Sequence, residues 1–282
     1  MDREVCNEVA EGAGMQVVIL CGGQGTRIRD VADDIPKPMI PIGGRPILWH
    51  IMKSYAQHGF KDFVLCLGYK SWTIKKFFLD YHLGQNDFTL SLGDSGPVEI
   101  HNNAAADEDW KVTLVETGAD TMTGGRLKRV ERYLHGERFG LTYGDGVSDI
   151  DIGKLVDFHD SHGLLGTVTA VNPPGRFGEL EIFDGVVNDF SEKPPMSKGM
   201  ISGGFFVFQR EFLARLPHDT SLVLEQSPLM RLARDGQLGA FEHSGFWHPM
   251  DSSRDYKYLN DLWSQGDAPW KSWDLPRLRA AA

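Results

Sequence analysis

The feature that most constrains how this chain can fold is a junction near its start. There the apolar run Val17-Val18-Ile19-Leu20, entered at Gln16, stops at Gly22-Gly23-Gln24-Gly25. A short apolar run closed by glycines reads as a buried strand that ends in a loop. Pro46 suits the first turn of a helix, and Ile47, Leu48, Ile51 and Tyr55 then recur at helical spacing until Gly59. A second strand, Phe63 to Leu67, precedes a second amphipathic helix carrying Ile74, Phe77, Phe78 and Tyr81. The alternation goes on through a strand at Val112 to Val115, a helix at Leu127-Val130-Leu134, a strand at Phe139 to Tyr143 and a helix with Ile152, Leu155 and Val156. This order predicts an α/β fold, a Rossmann-like, mostly parallel sheet flanked by helices.

From Gly166 the texture changes to apolar alternation at Thr167 to Val171, Leu180 to Phe183 and Phe205 to Phe208, broken by Pro-Gly and Asp-Gly pairs. Added β-hairpins are expected there. Helices near Leu224 to Ala233 and Tyr256 to Trp263 complete the pattern. At 282 residues the expectation is a single domain over 15–282 after a disordered lead-in, 1–14. A ligand-binding part falls at about 15–150, a second part at about 151–255, and a helix with an aromatic tail at about 256–282.

A net charge of −10, with no basic stripe, argues against a nucleic-acid partner. No segment approaches the roughly 20 apolar residues of a membrane span, so no membrane partner is expected. Cys6, Cys21 and Cys66 are too few and too scattered for a disulfide framework or a zinc site, which suits a cytoplasmic protein. The histidines, among them His50, His58, His159, His162, His243 and His248, are read as structural. Trp263, Trp270 and Trp273 should pack either on their own domain or on another subunit of a homo-oligomer.

In an open parallel sheet, ligands sit beyond the carboxyl ends of the strands, where the loop Cys21 to Arg27 would lie. Gly22, Gly23 and Gly25 let backbone N–H groups approach phosphate oxygens, Thr26 adds a hydroxyl and Arg27 a cation. The loop is neither a Walker A motif, since Gly25-Thr26-Arg27 replaces G-K-[ST], nor a dinucleotide fingerprint, since Ile28 stands where a third glycine belongs. Lys37, between Pro36 and Pro38, is aimed by a stiff extended backbone and is a candidate phosphate clamp. Asp145, between Gly144 and Gly146 past the strand Phe139 to Tyr143, is a candidate magnesium ligand that calls for a second acid. Asp149 and Asp151 are expected to start a helix. In Arg126-Leu127-Lys128-Arg129, Arg126 is the candidate ligand contact, and Lys128 and Arg129 are read as a solvated helix face.

Leu20 to Arg27 followed by Pro36-Lys37-Pro38-Met39 resembles the sugar nucleotidyltransferases, which join a nucleoside triphosphate to a sugar 1-phosphate. Further segments are similar to the glucose-1-phosphate cytidylyltransferase branch. They are Pro46 to Lys53, Met122 to Arg129, Tyr143-Gly144-Asp145-Gly146-Val147, Pro174-Gly175-Arg176-Phe177-Gly178 and Gly203-Gly204-Phe205-Phe206-Val207, within a resemblance running from about Met15 to Trp273. The resemblance implies transfer of a cytidylyl group from CTP to glucose 1-phosphate, with Mg²⁺ as cofactor, feeding deoxysugar and surface polysaccharide (O-antigen, lipopolysaccharide) synthesis. It assigns Leu20, Cys21, Gly22, Gly23, Gln24, Gly25, Thr26, Arg27, Lys37, Thr121, Arg126, Gly144 and Asp145 to the nucleotide. Gly178, Glu179, Lys193 and Gly204 fall to the sugar phosphate, Asp145 and Asp251 to the metal, and Arg27, Lys37 and Lys193 to the catalytic set. The sequence departs from the family pattern at Ser202, where asparagine is expected, which bears on the choice of hexose. The alternatives are a thymidylyl or uridylyl transferase and a catalytically silent nucleotide-sugar sensor.

Overall fold

The structure, a computed structural model, describes residues 14–23, 25, 28, 34–92, 98–101, 108–173, 179–183, 186–191 and 199–274, with 179–183 and 186–191 described in backbone only. The expected lead-in, apart from Gly14, lies outside these residues. In chain order the regular elements begin with strand Gln16–Leu20 (β1), the short hairpin Pro41–Ile42 (β2) and Arg45–Pro46 (β3), and helix Ile47–Ala56 (α1). Asp62–Leu67 (β4), helix Ser71–Leu79 (α2), the pair Phe88–Thr89 (β5) and Glu99–Ile100 (β6), and Lys111–Glu116 (β7) follow. Next are helix Thr123–Val130 (α3), Arg138–Tyr143 (β8), Gly146–Ser148 (β9), helix Ile152–His162 (α4) and Gly166–Val171 (β10). Glu179–Phe183 (β11), Val186–Ser191 (β12), Ile201–Gln209 (β13), helix Ser227–Arg234 (α5), Leu238–His243 (β14), Trp247–Pro249 (β15) and helix Ser253–Gln265 (α6) complete the order.

Seven strands form one sheet in the order β14-β10-β13-β8-β1-β4-β7. β1 pairs in parallel with β4 and β8, and β4 with β7, while β13 runs antiparallel to both β8 and β10. β1 is covered on both faces. Val17 and Ile19 join a core with Ile51, Leu155 and Leu259, and Val18 and Leu20 join another with Leu127, Phe212 and Leu232. A strand buried on both faces is apolar throughout, as Val17 to Leu20 is.

The alternating region departs from the hairpin expectation. The strands at Thr167 to Val171 and Phe205 to Phe208 sit inside the main sheet as β10 and β13, and β10 also pairs with β14. Among the described residues of this region, β11 and β12 form the separate hairpin that was expected. Alternation reports a polar and an apolar face, but it does not say whether a ladder partner is adjacent in sequence or distant.

The C-terminal tryptophans pack on their own domain. Trp270 is fully buried, and its indole N–H donates to His50 Nδ1 (3.4 Å) while Trp263 and Trp273 crowd the same ring. His50 therefore carries its proton on Nε2 and donates to the Ile42 carbonyl (2.9 Å), and burial pushes its pKa down to about 4. Among the described residues, no helix is long and apolar enough to cross a membrane.

Candidate active site

The strand order locates the site. The chain leaves β1 toward β4 and β7, then returns to β8 on the other side of β1, so the loops after β1 and β8 diverge and open a crevice between them. A cavity of about 250 Å³ lies at that switch point. It is lined by Leu20, Cys21, Gly23 and Gly25 after β1, Gly144 and Asp145 after β8, Lys37 and Asp251. Backbone bonds hold the rim in place: Gly144 N–H donates to Leu20 O (3.1 Å), Cys21 N–H to Cys66 O (3.0 Å) and Tyr69 N–H to Gly22 O (3.2 Å). Burial pushes the Cys21 thiol far up, which leaves it inert as a nucleophile.

Lys37 is held rigidly, though not in the extended form expected from its flanking prolines. Pro36 is extended, but Lys37–Met39 closes a 3-10 turn with Met39 N–H on Pro36 O (2.8 Å) and Ile40 N–H on Lys37 O (3.1 Å). Lys37 opens the turn, where its own N–H needs no partner inside it, and Pro38 supplies a preset φ. Gly25 packs against the lysine with φ +58°, where a Cβ would lie 3.0 Å from Lys37 Cβ. The ammonium donates to Asp145 Oδ2 and to Asp251 Oδ1, both at 2.6 Å. Burial alone would lower the pKa of Lys37; the charges and hydrogen bonds of the two aspartates outweigh it and raise it.

Asp251 arrives from the junction of β15 and α6. Asp255 accepts from Asp251 N–H (3.1 Å), Ser252 N–H (2.9 Å), Ser252 Oγ (2.8 Å) and the ring of His248 (3.1 Å). Ser252 Oγ in turn caps α6 by accepting from Asp255 N–H (3.3 Å). Burial alone would raise the Asp255 carboxyl, but these bonds and the His248 charge hold it at about 2. Sequence reading passed over Asp255, although Ser252-x-x-Asp255 carries the reciprocal spacing of a capping box.

Arg126 works from behind the loop. Its guanidinium donates to Leu67 O (3.0 Å), Thr117 Oγ1 (2.8 Å), Gly118 O (2.8 Å), Gly22 O (3.0 Å) and Ala119 O (3.1 Å). A Cβ on Gly22 would stand 2.0 Å from Arg126 Nη1, so this glycine makes room for the arginine. Lys128 is not on the solvated face that its charge suggested, whereas Arg129 is exposed as expected. Lys128 is buried and donates to Leu213 O (2.9 Å), and Arg129 donates to Thr121 Oγ1 (3.1 Å) and Thr117 O. Long cationic side chains can lie under a loop when carbonyls meet their heads. Asp151 does cap α4 through Lys154 N–H (3.0 Å), whereas Asp149 instead pairs with His243 (2.9 Å).

In the segment that the resemblance assigned to the sugar phosphate, Gly204 has φ +77° and lies under Tyr143, whose ring a Cβ would meet at 2.3 Å. The Tyr143 hydroxyl donates to Glu225, which also accepts from Thr123 Oγ1 (2.6 Å). Ser202 is exposed on β13 opposite Ala170. Glu179 opens β11 opposite Ser191, and only its backbone is described. Gln24, Thr26, Arg27, Gly178 and Lys193 lie outside the described residues. Among the described residues, no group of three or more acids, histidines and cysteines could enclose a metal. The donor set present is the Asp145 and Asp251 pair, whose hard oxygens suit a cation that keeps waters and substrate phosphates as its other ligands.

Residues 16–248 match the family model described as Nucleotidyl transferase. The chain is 51% identical over 261 residues to the glucose-1-phosphate cytidylyltransferase of Salmonella typhimurium, spanning 92% of this chain and 100% of the relative, and the same figures hold for that of Salmonella typhi. In fold it is similar to the inositol-1-phosphate CTP transferase structure from T. maritima, with TM-score 0.60 and 16% identity over 89% of this chain and 97% of that one.

Proposed function

The chain belongs to the nucleotidyl transferase family and, within it, to the glucose-1-phosphate cytidylyltransferases, and on that premise we propose that its switch-point cavity joins CTP to α-D-glucose 1-phosphate. The products are CDP-glucose and pyrophosphate. An oxygen of the sugar phosphate forms a bond to the α-phosphorus of CTP while the bond to the β-phosphate oxygen breaks and pyrophosphate leaves. Glucose 1-phosphate is mostly a dianion at neutral pH, because a phosphate monoester has its second pKa near about 6. The attacking oxygen needs no general base, so the chain's task is alignment and charge neutralisation.

The observation that carries this reading is the meeting of Lys37, Asp145 and Asp251 at 2.6 Å in the cavity beside the glycine loop. Gly23 and Gly25 offer backbone to the triphosphate, and Lys37 meets its charge. Arg126 contributes by gripping the carbonyl of Gly22, which sets the path of the loop. Arg27 is assigned to the triphosphate and Lys193 to the sugar phosphate from the resemblance of their segments. A divalent cation, taken to be Mg²⁺ on Asp145 and Asp251, would offset the negative charge of the triphosphate. The reading places the enzyme in the cytoplasm as a homo-oligomer that supplies a nucleotide sugar for deoxysugar and surface polysaccharide synthesis.

A pyrophosphate-release assay across four nucleoside triphosphates and several sugar 1-phosphates tests the reading. CTP with glucose 1-phosphate should give the highest kcat/KM. Faster turnover with dTTP or UTP would overturn the cytidylyl assignment, and sedimentation of the same preparation reads the subunit number.

A further inference from the structure

Lys37 Nζ stands 2.6 Å from Asp145 Oδ2 and 2.6 Å from Asp251 Oδ1, the two side chains read above as the metal pair. The lysine side chain is 13% exposed, while the carboxylates, at 34% and 27%, are more open. Two carboxylates this close repel one another unless a cation lies between them, and the cation between these two is the Lys37 ammonium. An ammonium and a metal cannot both occupy the space between the same oxygens. The ammonium ends a flexible stem of four methylenes, whereas the Lys37 backbone is locked in its 3-10 turn, so side-chain rotation alone can move the charge.

We propose that Lys37 is an exchangeable counter-ion, which holds Asp145 and Asp251 together until nucleotide arrives and then transfers its charge from the carboxylates to the triphosphate as the metal enters. This rests on the reading of the two aspartates as the metal pair. Metal alone must push the ammonium into a cavity whose described lining offers no carboxylate besides these two. With CTP present, phosphate oxygens replace the carboxylates as its acceptors, so the displacement carries little cost. Metal and nucleotide thus bind cooperatively, and each strengthens the other by the same factor. The lysine also keeps the two acids within reach of one another before any ligand is bound.

Mn²⁺ titrated into the nucleotide-free protein and followed by electron paramagnetic resonance is the test. Lys37→Met removes the competing charge at similar length, and it should bind Mn²⁺ alone roughly tenfold or more tightly than the unaltered protein. Equal or weaker affinity overturns the exchange. Circular dichroism checks the fold of the variant. Should it fail to fold, lysine-specific ¹⁵N NMR of the unaltered protein decides. The shielded ammonium signal should stay put with Mg²⁺ alone and move with Mg²⁺ plus CTP, and a signal that moves fully with Mg²⁺ alone overturns the proposal. Asp251→Asn titrated with Mn²⁺ and CTP together separates the two levels. Undiminished affinity there removes the metal pair itself, whereas diminished affinity with an unchanged Lys37→Met variant removes only the exchange.

Discussion

Replacing Asp255 with alanine removes a carboxylate that touches no substrate in the reading above but holds the backbone of Asp251, which that reading assigns to the metal. Its four partners are the N–H groups of Asp251 and Ser252, the Ser252 hydroxyl and the His248 ring. The fall of its pKa from 3.8 to about 2 corresponds, at roughly 1.4 kcal/mol per pH unit, to a ceiling of about 2 kcal/mol of folding stability. Water reaches part of this group, and screening brings the expected loss to about 1 kcal/mol, similar to the loss of a helix cap. A carboxyl whose folded pKa is depressed stabilises above its unfolded value and ceases to do so as pH falls through the folded one. The gap between Asp255→Ala and the unaltered protein should therefore be full at pH 7, shrink below about pH 4 and close near about pH 2. Urea titrations along that pH series measure it. In the pyrophosphate-release assay the Mg²⁺ concentration for half-maximal rate should rise severalfold, with much of the rate recovered at saturating metal. Unchanged stability at pH 7 together with an unchanged Mg²⁺ dependence would refute the argument that Asp255 aims Asp251.

Gly22→Ala places a methyl group 2.0 Å from Arg126 Nη1, so the guanidinium or the loop must move. KM for CTP should rise about tenfold or more while KM for glucose 1-phosphate changes little, and equal changes in both would detach Gly22 from the nucleotide. His50 and His159 are both fully buried, and burial lowers each pKa to about 4. Each contributes stability that is complete above the unfolded value of 6.5 and is lost as pH falls from there through 4. The melting temperature should drop steadily between those limits, and a flat profile would show that neither ring is held neutral.

The sheet was legible because its central strands are buried on both faces and therefore lack polar positions, as in Val17 to Leu20 and Phe63 to Leu67. The sites of Lys37, Asp145 and the glycine loop could be read because each interrupts a regular element with residues of restricted or unusual backbone. Asp251 was found by resemblance, since nothing local ties it to Asp145; the pairing of β15 with β9 and the bond from Met250 N–H to Asp145 O (2.8 Å) bring the two segments together. Lys128 was misread for a related reason. Charge on a helix normally faces water, and the carbonyl that meets this cation comes from Leu213, outside the helix itself. Tertiary partners of that kind leave no mark on the local pattern.

The separation of the three charged residues along the chain has a consequence for assembly. Lys37 is 108 positions from Asp145 and 214 from Asp251. During synthesis the glycine loop and the lysine emerge first, and Lys37 acquires its second carboxylate only when the β15 segment docks on β9. Closing such long loops is slow compared with local structure formation. On the reading proposed above, a nascent or nicked chain lacking that dock keeps the glycine loop but no paired acids and should not turn CTP over. Catalytic competence is in this sense a late report on successful folding.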